Sequence, residues 1–309
     1  MIVNEEEKDN AILAGKIAAK AIIYGKSLIQ PNVKMVEVLD QIERFIKDNG
    51  GQIAFPAQIS LNETAAHFCP LADDVLVFKP TDIIKLDLGV HVEGMIADTA
   101  VTIIFKEYND KYQELLDLKK ASEEALSNTL KYIRPGVTLG ELGLIIQESI
   151  ARYDLSPVRN LSGHGLGKYS IHEHPTVPNF NTKDKHELED NQLIAIEPFA
   201  TNGHGMIFES SNATLYSLNA INAMKGVRSN MTREVLRDIQ EFKTLPFTTR
   251  WLTSKHSFSK VRFALNDLKN LEIVHDYPPL IEMGKGMVSQ SEHTVIVRER
   301  PIITTLREE

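Results

Sequence analysis

Apolar positions recur at helical spacing over residues 4–28, among them Ile12, Leu13, Ile17 and Ala18, and again over 32–48. Pro31 stands near the start of the second stretch and Gly50–Gly51 lie beyond its end, so two successive helices are predicted. The pattern then changes to apolar runs of strand length, IIKLDLGVHV and MIADTAVTIIF, joined by HVEG as a hairpin turn. The same order of signals follows once more. Residues 111–133 and 138–153 predict helices, and LIAIEPFAT and MIFES predict strands. The two passages share letters as well. IQPNVKMVEV (29–38) matches IRPGVTLGEL (133–142) at Ile29/Ile133, Pro31/Pro135, Val33/Val137 and Glu37/Glu141. A duplicated α+β unit follows, with two helix–helix–strand–strand halves facing each other across a cleft with a pseudo-twofold axis.

Residues 218–270 break the pattern. They read as helices, clearest in TREVLRDIQEFKTL and SFSKVRFALNDLKNL, and form an insertion ahead of final strands near KGMVSQSEHTVIVRE and PIITT. The main domain is then 1–217 with 271–309. Charge sets the insertion apart: it holds ten Lys/Arg against four Asp/Glu, inside a 309-residue chain of net charge −8. The acidic whole argues against a chain built to seek nucleic acid. A solvated helical surface accounts for the local excess. A specific role would be contact with ribosomal RNA through Arg228, Arg233, Arg237, Arg250, Lys255, Lys260 and Arg262. A single cysteine, Cys69, excludes an intramolecular disulfide, and without a base arranged for it reads as inert. The N-terminal residues MIVNEEEKDNAILAG lack a basic flank with an apolar core, and no apolar run reaches the ~18 residues that span a bilayer. A cytosolic protein is expected, and no motif demands more than a monomer.

Four acids stand inside apolar, strand-like runs: Asp87 in IIKLDLGV, Asp98 in MIADTAVTI, Glu197 in LIAIEPFA and Glu292 in SEHTVIV. An unpartnered buried carboxylate costs several kcal/mol or neutralises itself. Lys85 shares a strand face with Asp87, but few other bases stand near. Edge strands facing solvent would explain any one acid; a metal centre compensates all four together. His164, in SGHGLGKYSIHEHP, has glycines on both sides and His172 and His174 close behind, which reads as a loop where backbone approaches a site. Four carboxylates and one imidazole suit Mn, Fe(II), Co or Zn rather than a thiolate-type structural zinc. They are too many for one open catalytic ion and suit two ions bridged by shared carboxylates.

The order Asp87, Asp98, His164, Glu197, Glu292 resembles the five-ligand set of the pita-bread metallohydrolases. NETAAHFCP, KLDLGVHVEGMIADTAVT, SGHGLGKYSIHEHPTVPN, AIEPFATNGHG and SEHTVIV resemble blocks of the methionine aminopeptidases. The long gap between Glu197 and Glu292 is similar to type II members, in a short archaeal form without a long leading extension. The resemblance implies a pita-bread α+β fold, a curved central antiparallel sheet, and two divalent ions. By it, Asp87 chelates one ion, Asp98 and Glu292 bridge, and His164 and Glu197 complete the other. It further implies attack by a hydroxide bridging the ions, with Glu197 as general base, His172 donating to the scissile carbonyl, and His67 contacting substrate near the scissile amide. Phe55, Ile171 and Tyr277 would line a methionine pocket. The implied substrate is the N-terminal methionine of nascent polypeptides with a small second residue. Two rivals remain: a prolidase-type dipeptidase, and a non-catalytic ribosome- or RNA-binding homologue of the kind that has lost ligands.

Overall fold

Helix α1 (Glu5–Leu28) starts where Asn4 and Glu7 exchange backbone and side-chain hydrogen bonds as a capping box, and three glutamates occupy its positive first turn. Ile17, Ala18 and Ile22 face inward, whereas Leu13 is turned to solvent. Helix α2 (Met35–Asp48) follows, then strands β1 (Gln52–Leu61), β2 (Thr64–Ala66), β3 (Ile83–Val92) and β4 (Met95–Ile104). The computed structural model describes residues 1–106, 111–210, 212–219 and 226–307. The part of the insertion at 220–225 lies outside the described residues.

The second half repeats the first. Helices α3 (Tyr112–Leu130) and α4 (Leu139–Ala151) lead to β5 (Ser156–Pro157), β6 (Ser162–Gly167), β7 (Ser170–Pro178), β8 (Leu193–Ile196), β9 (Phe199–Thr201) and β10 (Ile207–Glu209). The letter repeat has a structural counterpart. Met35 opens α2 and Leu139 opens α4 at the offset of the matched letters, and Asn32 and Gly136, equivalent in the repeat, both take left-handed φ, 68° and 84°. A turn that needs this conformation admits Asn or Gly at little cost.

The insertion lies between β11 (Leu215–Leu218) and β13 (Val274–Tyr277) and contains α5 (Asn230–Gln240), β12 (Phe247–Thr248), α6 (Thr249–Thr253) and α7 (Phe258–Asn270). It has its own apolar core, in which Val235 and Ile239 meet Val261, Ala264 and Leu268. The chain closes with β14 (Leu280–Glu282), β15 (Val288–Gln290), β16 (His293–Ile296) and β17 (Ile302–Ile303).

Two antiparallel sheets carry the site. One has the order β1-β3-β4, the other β17-β16-β8-β6-β7. They are stitched along β4 and β16: Thr294 Oγ1 accepts from Asp98 N at 2.7 Å and donates to Asp98 O at 2.8 Å, and Glu292 N donates to Ala100 O. Helices α1 and α2 cover the first sheet through Ile17, Ile22, Leu39 and Ile42 against Leu86, Leu88 and Val90. The seam between the sheets is where the acids lie.

Candidate metal centre

The hairpin β3–β4 turns at Glu93 and Gly94, both with positive φ, a two-residue turn that fixes register. That register sets Asp87 opposite Ala100 and Asp98 opposite Gly89. Across the seam, Glu197 directly follows β8 and Glu292 directly precedes β16. His164 lies within β6, paired with Ala195 of β8, so its glycines do not mark a loop. Their reason is steric. A Cβ on Gly163 would lie 2.3 Å from Ala195 O, and one on Gly165 2.2 Å from His174 O.

The five residues line one cavity together with His67 and His172. Ligand atoms of Asp98, His164 and Glu292 lie within 4.8 Å of one another. His164 Nε2 is 3.8 Å from both Asp98 Oδ2 and Glu197 Oε1. Asp98 and Glu292 share a hydrogen bond, and Gln290 Nε2 donates to Asp87 Oδ2 at 3.4 Å. Burial pushes Asp87 up to about 7, offset in part by Gln290. It raises Asp98, Glu197 and Glu292 further, with neighbouring carboxylates adding to the rise. Burial, then the nearby His172, lowers His164 to about 3, so its imidazole is neutral. Asp87 Oδ1 and Glu292 Oε1 are buried without a hydrogen-bond partner. Lys85 brings no relief, because its ammonium donates to Asn62 O. Crowded acids, orphaned oxygens and a neutral imidazole are what divalent cations satisfy. Saturating Mn, Co, Fe(II) or Zn should therefore raise the thermal midpoint, by about 5 °C at a hundredfold excess over Kd. A midpoint indifferent to all four in differential scanning fluorimetry would contradict metal binding here.

His67 follows β2 in the left-handed region, φ 65°. Gln58 holds it there, since its Oε1 accepts from His67 N at 2.9 Å. Burial, then His172, lowers His67 to about 4, and its Nδ1 is buried without a partner. The His172 ring lies 4.7 Å from that of His164, edge to face, and a groove of about 400 Å³ extends beyond both histidines past Asn160 and Thr176. Phe55, Ile171 and Tyr277 line the central cavity with two residues the sequence reading missed, Leu215 and Pro246. Gly89 makes room for Phe55, because a Cβ there would lie 2.2 Å from the ring. Gln58 and Gln290 were also missed. Applying to buried amides the reasoning used for buried acids would have singled them out. Cys69 is fully buried, and burial raises its thiol pKa.

The sequence profile of metallopeptidase family M24 matches residues 10–242. The chain belongs to metallopeptidase family M24. Within the family it resembles methionine aminopeptidases: it is 40% identical to that of Methanocaldococcus jannaschii, over 97% of this chain and 99% of the relative. The methionine aminopeptidase of Thermotoga maritima shares the fold, with a TM-score of 0.72 at 22% identity, over 100% of this chain and 99% of the other. The prolidase of Pyrococcus furiosus also shares it, with a TM-score of 0.63 at 20% identity. Here this chain is covered completely but only 66% of the prolidase is, so that enzyme carries substantial further sequence. The architecture of this M24 chain is thus the pita-bread fold. Among the described residues, no helix is long and apolar enough to cross a membrane.

Proposed function

We propose that this M24 metallopeptidase, acting in the cytosol, releases N-terminal methionine from new polypeptides with a small second residue, using two divalent ions. The observation that carries the two-ion reading is the donor set: the buried acids Asp98 and Glu292, the half-buried acids Asp87 and Glu197, and one neutral histidine, all lining one cavity. Asp87, Asp98, His164, Glu197 and Glu292 would together hold the two ions. When bound, the ions acidify water and polarise the scissile carbonyl. Glu197 then takes the proton from the attacking water and passes it to the leaving amine. His172 donates to the carbonyl oxygen as charge develops there. His67, kept neutral by burial, orients the scissile amide. Phe55, Ile171 and Tyr277, with Leu215 and Pro246, take the unbranched thioether, which suits a pocket of aromatic and aliphatic walls. Cobalt, manganese, iron and zinc all suit this ligand set. Release of free methionine from Met-Ala peptides, against Met-Leu peptides, tests the reading. Equal turnover of the two would contradict the requirement for a small second residue.

The basic insertion supports a narrower ribosome contact than the sequence reading gave it. Arg250 is buried and paired with Asp40 and Glu43, so it cannot reach a partner. Lys255 pairs with Asp238 and Glu241, and Lys260 with Glu234. The exposed candidates are Arg228, Arg233, Arg237 and Arg262. Changing these four to Ser should abolish ribosome co-sedimentation at low salt while leaving Met-Ala turnover intact, because each neutralised phosphate releases counterions. Unchanged co-sedimentation, or none in the parent, would end this reading.

A further inference from the structure

A buried carboxylate of the first half is clamped by the insertion. Glu43 on α2 is 5% exposed, and its oxygens take three donors from two different elements. Arg250 Nη2 at 2.6 Å and Trp251 Nε1 at 2.8 Å come from α6 of the insertion. The third is the backbone N–H of Ala57 in β1, 3.3 Å from Glu43 Oε1. Arg250 also bonds Asp40, which completes a clamp between α2 and α6.

Ala57 lies where β1 is least held by its neighbour. The pairing of β1 with β3 shifts register between Ile53 and Phe55 and again between Phe55 and Gln58. Such a bulge re-aims side chains but leaves its own residues outside the ladder. Pro56 has no N–H to offer, and the Ala57 N–H is the one given to Glu43. On one side of this bond is Phe55, in the cavity wall. On the other is Gln58, which holds His67.

We infer that Glu43 is a positioning residue for the methionine pocket: through the Ala57 amide it fixes the bulge that aims Phe55 at the substrate side chain, and Arg250 and Trp251 hold Glu43 in place. The inference rests on Phe55 being a wall of that pocket. The insertion thereby contributes to methionine affinity without supplying a metal ligand. A purely stabilising clamp would move the thermal midpoint alone; a positioning role also moves methionine affinity.

Two variants separate these roles. Glu43→Gln keeps an acceptor for Ala57. The double variant Glu43→Met/Arg250→Met removes it together with both buried charges, so no unpaired ion is left to unfold the chain. Trp251 is the single tryptophan, so its emission reports whether the clamp has opened. Calorimetric affinity of the metal-free protein for free methionine is read beside kcat and KM on a Met-Ala peptide. The double variant should bind methionine and the peptide about tenfold more weakly, the scale of one misfitted methylene, with kcat within about threefold. Glu43→Gln should stay within about threefold of the parent in all three. A folded double variant with the parent's methionine affinity and KM overturns the inference while the pocket stands. A parent protein with no methionine affinity overturns the pocket assignment, and the inference with it.

Discussion

Replacing Asp98 by Asn should cut methionine release by a factor on the order of 10³ or more and lower bound metal below two ions per chain. Asp98 is crowded by Asp87 and shares a hydrogen bond with Glu292. Its ligand atom lies within 4.8 Å of those of both Glu292 and His164. The change is nearly isosteric and removes one of several crowded acids whose ionised forms burial disfavours. The backbone bonds from Asp98 to Thr294 do not involve the side chain and remain. The metal-free variant should therefore fold with the parent's circular dichroism. Parent-level turnover and metal content, measured by elemental analysis, would contradict the ligand assignment.

The second large effect concerns His172. Its ring stands beside that of His164 on the solvent-open side of the site, and desolvation by the surrounding protein, then His275, lowers its pKa, so it meets substrate as a neutral donor. A donor aimed at an oxygen that gains charge only during attack contributes to the transition state more than to substrate affinity. His172→Ala should lower kcat by roughly 10²–10³, the scale of one lost oxyanion donor, with a much smaller change in KM. Steady-state kinetics on a Met-Ala peptide checks this. A change confined to KM would place His172 in ground-state binding instead.

Much of this architecture was legible because local patterns agreed with the global fold. The paired helices, the hairpin at Glu93–Gly94 and the repeated helix starts at Met35 and Leu139 each rest on short-range chemistry that a sequence displays. The acids were legible for the opposite reason, since Asp87, Asp98, Glu197 and Glu292 contradict their apolar surroundings. His164 was misread as loop because glycine has two uses, left-handed turns and close backbone packing, and only the packing of β6 on β8 separates them. The walls contributed by Leu215 and Pro246 had no local signal, as an apolar residue looks alike in a core and in a pocket. Arg250 was misjudged on the same ground. Composition counts a charge without saying that Glu43 and Asp40 face it across more than two hundred residues.

The proposed hydrolysis of the bond after an N-terminal methionine depends on metals held by the chain's own five residues, Asp87, Asp98, His164, Glu197 and Glu292. The direct measurement is release of free methionine from a Met-Ala peptide by protein stripped with chelator and then titrated with Co, Mn, Fe(II) or Zn. The stripped protein should release none, and release should grow to a plateau at two ions per chain, with no cleavage of Xaa-Pro dipeptides. Silence with all four metals, or cleavage of Xaa-Pro dipeptides in place of Met-Ala peptides, would contradict the proposed hydrolysis.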